Sequence, residues 1–157
     1  MISNRTLMTI KRVVAGLIFV EGNFLICQRT RHQPFPLKWE FPGGKIESGE
    51  QPEAALIREL EEELGILAEI GPLVALVRHS YGSGAVVELQ FFLVERFQGE
   101  IQNRIFRDVR WVSREELPPY DFLAADVELV KELAAGKPLV AISRSAASTS
   151  MPRTAKS

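Results

Sequence analysis

Apolar and polar residues alternate along several stretches of the chain with the two-residue period of a partly buried β-strand. The alternation is clearest in residues 85–97, where Val87 and Leu89 flank Glu88. Other stretches are rich in valine, isoleucine and phenylalanine, which strands favour. The predicted strands are Thr9–Val20 and residues 24–30, 68–79, 85–97 and 109–112. A tight turn at residues 21–23 joins the first two strands into a hairpin.

Two stretches instead have the start and stop residues of helices. Pro52 suits the first turn of a helix over residues 52–64, and Gly65 suits the left-handed residue that ends it. A second helix is predicted over residues 126–135, with Asp126 as its N-terminal cap.

The segment between the second strand and the first helix has a different character. Residues 39–46 contain Pro-Gly-Gly, and glycine adopts backbone angles that other residues avoid, so we predict a flexible bend here. The elements together predict the α/β or α+β class, with helices packed on a mixed sheet in one domain over residues 1–140. Residues 141–157 lack apolar periodicity and are predicted to be a disordered tail.

The bulk properties narrow the classes of function. The chain has 157 residues, enough for one domain with a core, and a formal net charge of −1. With a charge so close to zero, we expect neither nucleic acid nor an anionic membrane as a partner. Cys27 is the single cysteine, so no intrachain disulfide is possible. Without a membrane-length apolar run or an export signal, a cytoplasmic protein is expected, either monomer or homodimer.

Acidic residues are concentrated in the first predicted helix. At about 100° per residue, Glu59, Glu62 and Glu63 fall within an arc of about 100° on one face. Their mutual repulsion destabilises the helix by about 0.2–0.5 kcal/mol per pair, which a purely structural helix has no reason to accept. Carboxylate oxygens are the ligands that Mg²⁺ and Mn²⁺ prefer, so the pattern favours a metal site that binds a polyphosphate.

Residues on either side of the acidic cluster support this interpretation. The glycine pair Gly43-Gly44 lets the backbone approach closely, so the Gly44 carbonyl is a candidate metal ligand. Glu50 lies at the entrance of the helix, and Arg58 can pair with an acid and fix its orientation. Divalent ions held here would neutralise phosphates and lower the pKa of a bound water.

The spacing of these residues resembles the Nudix box. Gly44, Glu50 and the segment Arg58-Glu-Leu-Glu-Glu-Glu-Leu-Gly-Ile66 match it at every fixed position, and the resemblance covers residues 13–133. The segment Trp39-Glu-Phe-Pro-Gly-Gly-Lys-Ile-Glu47 is similar to the MutT-like branch, whose members hydrolyse oxidised or otherwise non-standard nucleoside triphosphates. The resemblance implies the Nudix α/β/α sandwich, with the box as a loop–helix–loop, and Mg²⁺ as cofactor with Mn²⁺ as a substitute.

The resemblance also implies a role for each matched residue. The implied catalytic residues are Arg58, Glu59, Glu62 and Glu63. The implied metal ligands are Gly44, Glu50, Glu59, Glu62 and Glu63. The implied substrate-binding residues are Arg29, Phe41, Gly43, Lys45 and Asp126. In this scheme Phe41 lines the base pocket, Asp126 binds the base edge and Arg29 approaches phosphate or sugar.

One position departs from the pattern. MutT-like enzymes often have a glutamate six residues before the tryptophan that follows the central loop, where it binds metal or acts as a base. Counting back from Trp111 gives Ile105, which can do neither. Asp108, Glu100 or a glutamate of the box are the alternatives for the general base.

The identity of the substrate depends on Asp126. An ionised carboxylate only accepts hydrogen bonds, so it suits 8-oxo-dGTP and a cytidine triphosphate equally, whereas a helix cap needs no ligand at all. The leading hypothesis is hydrolysis of a nucleoside triphosphate, in its standard, oxidised or modified form, to the monophosphate and pyrophosphate, which removes damaged nucleotides from the nucleotide pool. A pyrophosphatase for ADP-ribose or a dinucleotide, and a non-catalytic nucleotide-sensing module, are the alternatives.

Overall fold

The computed structural model describes residues 9–82 and 84–143. The strands in these ranges are β1 Thr9–Val20, β2 Asn23–Gln28, β3 Trp39–Glu40, β4 Gly43–Lys45, β5 Leu67–Glu69, β6 Leu73–Ser80, β7 Ala85–Val94, β8 Arg96–Gln98 and β9 Asp108–Ser113. The helices are α1 Pro52–Leu64 and α2 Val127–Ala134, with 3₁₀ turns at Arg114–Glu116 and Ala124–Asp126.

The first strand organises a seven-stranded mixed sheet in the order β3-β2-β1-β7-β6. One edge of β1 pairs with β7 in parallel, while its other edge pairs antiparallel with β4 near its middle and with β2 at its end. Strand β9 pairs with β2, and β5 and β8 form a separate two-stranded sheet. The parallel and antiparallel pairs together confirm the predicted mixed sheet.

Alternate residues of β1 face two separate cores. Val14 and Ile18 pack in a core with Leu56 and Leu60 of α1. Ala15 and Leu17 point to the other face, into the core that contains Leu129, Val130 and Leu133 of α2. Because successive side chains of a strand point to opposite faces, one apolar strand serves both cores. The result is a helix on each side of the sheet, which confirms the predicted α/β/α sandwich.

The first helix has the predicted ends. Pro52 lies in its first turn, and Gly65 adopts a left-handed conformation with φ 71° while its N–H donates to the Glu61 carbonyl at 3.0 Å. The loop at residues 101–107 also caps this end, since Gln102 donates to the Leu64 carbonyl at 2.8 Å and Arg104 Nη1 donates to the Glu61 carbonyl at 3.0 Å. These bonds satisfy carbonyls that the last turn of a helix leaves unpaired.

Residues 39–46 are not the irregular bend that the glycines predicted. They form β3 and β4 on either side of Pro42, and Gly44 lies opposite Val14 in the register with β1. The Pro42 carbonyl accepts a hydrogen bond from the Gly16 N–H at 2.8 Å. Tertiary pairing with β1 therefore overrides the weak strand propensity of glycine.

The predicted strands over residues 68–79 and 85–97 are each divided in two. The first is broken between β5 and β6 by Gly71 and Pro72, and the second between β7 and β8 at Glu95. Gly71 N–H donates to the Leu93 carbonyl at 2.8 Å, and a side chain at Gly71 would lie 2.7 Å from that oxygen. The close approach here requires glycine and bends the chain out of the main sheet.

The second helix begins one residue later than predicted, at Val127. Asp126 ends the preceding 3₁₀ turn with helical backbone angles (φ −96°, ψ −11°) and makes no side-chain cap hydrogen bond. Asp126 therefore occupies the predicted N-cap position but its side chain does not cap the helix, because a capping residue needs an extended backbone to reach the first turn.

The ends of the chain are described only in part. Residues 1–8 and 144–157 lie outside the described ranges, and with them most of the predicted tail. Ile142, which the sequence placed in that tail, still donates its N–H to the Leu73 carbonyl at 2.9 Å. Of the helices that the structure describes, none has the length and apolarity to cross a membrane.

Candidate active site

A cavity of about 300 Å³ opens beside β1, β4 and β7 and reaches the start of α2. Seven of the residues singled out from the sequence line it: Arg29, Phe41, Gly43, Gly44, Lys45, Glu63 and Asp126. They come from strand β4, from the segments that directly follow β2 and β3, from helix α1 and from a 3₁₀ turn, so the fold brings together residues that are distant in the chain. Arg58, Glu59, Glu62 and Glu50 do not line the cavity and lie together at its edge, on and before α1.

Arg58 organises that edge. Its guanidinium donates two hydrogen bonds to the Glu50 carboxylate, each of 2.9 Å, and a third of 2.9 Å to Glu59 Oε2. Its Nη2 also donates to the Lys45 carbonyl at 3.1 Å. The hydrogen bonds from Arg58, with one from the Glu47 N–H, lower the pKa of Glu50 to about 2. Glu50 is therefore a fixed anion at neutral pH, and the loop before α1 is held against the helix.

Glu63 has a different environment from its neighbours. Its side chain is buried, and Oε1 has no hydrogen-bond partner within the described residues. Burial, and then the nearby carboxyl of Glu59, raise the pKa of Glu63 well above its ordinary value. A buried, unpartnered carboxylate oxygen costs free energy unless a cation or donor meets it.

The three glutamates of α1 that the sequence analysis proposed as metal ligands do not form a closed cluster. Glu59 is paired with Arg58, and the Glu62 side chain is 63% exposed. Across residues 9–82 and 84–143, no three acidic, histidine or cysteine side chains are close enough to form a complete metal site. The predicted gathering of carboxylates on one helix edge is present, but holding an ion requires side-chain rotations of Glu59 and Glu62.

The residues present suit a hard divalent ion. Backbone at Gly44 lies so close to Glu59 that a β-carbon at Gly44 would collide with the Glu59 carboxyl group. Carboxylates of Glu59 and Glu63 and the main chain of Gly44 thus supply an oxygen-only donor set, and the unpartnered oxygen of Glu63 is an open ligand position.

Asp126 lies at the other end of the cavity. Its side chain is only 2% exposed, and Oδ1 has no hydrogen-bond partner within the described residues. Burial and the charge of Glu40 raise the pKa of Asp126 to about 8, although a hydrogen bond from the Phe41 N–H acts in the opposite direction. A raised pKa favours the protonated carboxyl group, which can both donate and accept, over the ionised acceptor that the sequence led us to expect.

Phe41 separates this end of the cavity from the core. Its ring stacks on Phe122 with centroids 5.4 Å apart and meets the edges of Phe24 and Phe91, both at 6.2 Å. The side chain therefore belongs to the core and to the cavity wall at once, and its neighbours hold it in one orientation. Trp39 is buried in the same core and does not line the cavity.

Most of the described chain is similar to a known protein family. A family model described as the NUDIX domain matches residues 9–133. The chain belongs to the Nudix family. It lies in the MutT-like branch, as the sequence resemblance predicted.

Two curated relatives and two solved structures illustrate the relationship. The chain is 38% identical over 119 residues, covering 76% of it and 87% of the relative, to the CTP pyrophosphohydrolase of Escherichia coli (strain K12). It is also 38% identical over 123 residues, covering 78% of it and 90% of the relative, to the 8-oxo-dGTP diphosphatase of Haemophilus influenzae. The solution structure of the E. coli ORF135 protein superposes with a TM-score of 0.74 at 37% identity, covering 82% of this chain and 91% of that one.

The MutT Nudix hydrolase from Burkholderia pseudomallei is also similar to this chain in structure. Its crystal structure gives a TM-score of 0.70 at 27% identity and covers 80% of this chain and 98% of that one. The match over nearly the whole of the other chain agrees with the sandwich described above. Nudix hydrolases generally use divalent metal ions, which the oxygen donors at Gly44, Glu59 and Glu63 suit.

Sequence reasoning missed several residues of the Nudix cavity. Glu40 is the most important, because its carboxyl accepts a 2.9 Å hydrogen bond from Arg29 Nη1 and its charge acts on Asp126. Arg29 therefore already has an acidic partner, and its Nε donates to the Pro34 carbonyl at 2.7 Å. Lys11, Phe35 and Tyr81 also line the cavity. Val87 and Leu89 of β7 line it as well, and their signal in the sequence was the alternation of apolar and polar residues.

Ile105 stands where MutT-like enzymes often have a glutamate, and the structure shows its surroundings. Ile105 lines the cavity and is 44% exposed, on the loop that caps the end of α1. Neither Asp108 nor Glu100 lines the cavity, and Asp108 instead accepts a hydrogen bond from Arg110 at 2.9 Å. The acidic residues that line it within the described ranges are Glu40, Glu63 and Asp126.

Proposed function

We propose that this Nudix chain is a Mg²⁺-dependent pyrophosphohydrolase that converts a nucleoside triphosphate into the nucleoside monophosphate and pyrophosphate. The observation that carries the proposal is a cavity that is lined by Gly44 and Glu63, which offer oxygen atoms, and also by the ring of Phe41 and the carboxyl group of Asp126. The names of the two relatives, one acting on CTP and one on 8-oxo-dGTP, support a nucleoside triphosphate as the substrate class.

At the phosphate end, Glu59, Glu62, Glu63 and the Gly44 carbonyl would hold the metal, with Glu50 as an additional acid. A bound divalent ion would neutralise phosphate charge and lower the pKa of a water molecule. The chain itself supplies Lys45 and Arg29 as cations for phosphate oxygens, and both line the cavity. Arg58 orients Glu50 and Glu59 through three hydrogen bonds.

Arg58 provides the first test of this scheme. We expect Arg58→Lys to lower kcat/KM about 10-fold to 100-fold and to raise the Mg²⁺ concentration needed for half-maximal rate, because a lysine cannot make the paired hydrogen bonds to Glu50. The measurement is a Mg²⁺ titration of initial rates. The matched control is Arg78→Lys, which replaces an arginine paired with Glu88 away from the cavity. Equal effects of the two substitutions would contradict the role of Arg58.

At the base end, Asp126 would bind the polar edge of the base, and Phe41 would line the wall of the pocket beside that edge. In its protonated form the carboxyl group both donates and accepts, so it is compatible with cytosine, guanine and uracil edges. In its ionised form it only accepts, and it is then repelled by the O4 carbonyl of uracil. The groups that bear on its titration are Glu40, which raises its pKa, and Tyr81 and Arg29 on the facing walls.

Titration of Asp126 should make the preference between cytosine and uracil nucleotides depend on pH. Since the pKa of Asp126 is raised to about 8, we expect the ratio of kcat/KM for CTP over UTP to increase between about pH 6.5 and about pH 8.5. Asp126→Asn removes the titrating group, so its ratio should stay constant over this range. Initial rates with both nucleotides at each pH measure the effect. A wild-type ratio that does not change, or one that changes equally in Asp126→Asn, would exclude this assignment.

The proposed function is tested with a panel of substrates. Initial rates with Mg²⁺ should be measured for 8-oxo-dGTP, dGTP, CTP and ADP-ribose. A strong preference for one triphosphate supports the proposal and identifies the base. A preference for ADP-ribose would keep the metal chemistry but discard the triphosphate assignment and the role of Asp126. No turnover on any of them, with nucleotide binding retained, would favour the nucleotide-sensing alternative.

A further inference from the structure

Two aromatic rings meet across the mouth of the cavity. Phe35 lies in the loop between β2 and β3, and Tyr81 follows β6. Their rings stack with centroids 5.6 Å apart and an interplanar angle of 30°, and both residues line the cavity. His79, at the end of β6, supports Tyr81 from another side with centroids 4.7 Å apart. The contact therefore joins the loop between β2 and β3 to the segment that follows β6.

Neither ring has a role in the fold. Phe35 is 49% exposed and Tyr81 is 38% exposed, and neither belongs to either of the two cores. Large aromatic side chains at the rim of a cavity, outside the core, are typical of binding surfaces. Their mutual contact shields apolar surface from water, but only in part.

The backbone that presents Phe35 is strained. Phe35 has φ 53° and Leu37 has φ 65°, in the left-handed region that side chains with a β-carbon disfavour. Hydrogen bonds from the end of β2 and the residue after it hold this conformation: Arg29 Nε donates to the Pro34 carbonyl at 2.7 Å, and Gln28 Nε2 donates to the Leu37 carbonyl at 3.1 Å. Strain that persists because surrounding bonds maintain it is concentrated at ligand-binding segments.

We propose that Phe35 and Tyr81 form an aromatic clasp that opens to admit the planar base of the bound nucleotide and stacks on both of its faces. This inference rests on the proposed function, because it names the part of the nucleotide that this end of the site recognises. With the rings in direct contact, no planar group fits between them, so the loop that carries Phe35 moves outward when the base enters. The contact between the Phe35 and Tyr81 rings is then replaced by a contact of each ring with the base.

Stacking recognises the presence of a base more than its identity, because every base has a π-face. The clasp therefore distinguishes nucleotides from phosphorylated compounds that lack a base. Asp126, deeper in the cavity, is left to distinguish one base from another. The two tasks are assigned to different walls of the same cavity.

Equilibrium binding of CMP, GMP and ribose 5-phosphate, measured by calorimetry with Mg²⁺, tests the clasp without any turnover. We expect Tyr81→Ala and Phe35→Leu each to raise the Kd of both nucleotides about 10-fold while leaving that of ribose 5-phosphate unchanged. Tyr81→Phe keeps the ring and should bind as the wild type does. Leu37→Ala is the matched control, since Leu37 lies on the same strained loop but does not line the cavity.

Several results would overturn the clasp. These are unchanged nucleotide affinity in Tyr81→Ala and Phe35→Leu, an equal loss for ribose 5-phosphate, or a wild type that binds CMP and GMP no better than ribose 5-phosphate. The outcome is separate from the fate of the proposed function. If the protein binds nucleotides through the two rings but hydrolyses no triphosphate, the clasp is supported and the proposed enzymatic function is contradicted. If the protein hydrolyses triphosphates but the ring substitutions leave nucleotide binding unchanged, the proposed function is supported and the clasp is contradicted.

Discussion

Glu63→Gln is expected to reduce kcat by on the order of 10²-fold or more, with the fold retained. Glu63 is the box glutamate that lines the cavity, and its Oε1 is buried without a hydrogen-bond partner within the described residues. Glutamine has the same shape but lacks the negative charge that a metal ligand needs. The loss should therefore appear in kcat and in the Mg²⁺ dependence, while the thermal melting temperature and circular dichroism stay close to those of the wild type.

The same helix offers a matched control for this prediction. Glu61 is exposed and its side chain points away from the other three glutamates, so Glu61→Gln removes one charge from α1 without touching the cavity. Its initial rate should remain near the wild-type value. A Glu63→Gln variant as active as Glu61→Gln would show that the box glutamate has no part in turnover.

The second large effect is expected at Gly43. A β-carbon there would collide with the Val14 carbonyl oxygen and lie 2.7 Å from Ala15 Cα. Gly43→Ala must therefore displace β4 from β1, which moves Gly44 and Lys45 out of the site. We expect a loss of stability of about 1–3 kcal/mol together with loss of most activity. Denaturant unfolding and initial rates, measured on the same preparation, follow both effects.

Gly16 provides the comparison for Gly43. It lies in the adjoining strand β1, but the nearest atom to a β-carbon there, on the Leu60 side chain, would be 3.5 Å away, an ordinary contact. Gly16→Ala should change stability and rate much less than Gly43→Ala. If the two substitutions were equally mild, the close packing of β4 against β1 would be contradicted.

The parts of the molecule that the sequence predicted well are those with a strong local signal. Gly65 ends α1 because a left-handed residue is needed there, and the structure gives it φ 71°. The alternation of apolar residues located β7, and a long apolar stretch located β1 with its bounds. The spacing from Gly44 to Ile66 carries family-specific information, so the box was predictable without any knowledge of distant contacts.

The parts that were missed depend on contacts between distant segments. Within residues 39–46, β3 forms by pairing with β2 and β4 forms by pairing with β1, and no local pattern reveals either contact. The protonation state of Asp126 depends on burial and on Glu40, which is 86 positions earlier in the chain. The stacking of Phe35 on Tyr81 likewise joins two loops with no periodic pattern of their own. The sequence thus predicted the family and the position of the box helix better than the shape of the pocket beside it.

The central claim is that this chain splits a nucleoside triphosphate into a monophosphate and pyrophosphate. The most direct test is to identify both products by ³¹P NMR after incubating the preferred triphosphate with the protein and Mg²⁺. We expect pyrophosphate and the nucleoside monophosphate in equal amounts, and neither product when a chelator removes the divalent ion. Formation of orthophosphate and a nucleoside diphosphate instead, or products that form equally well without a divalent ion, would contradict it.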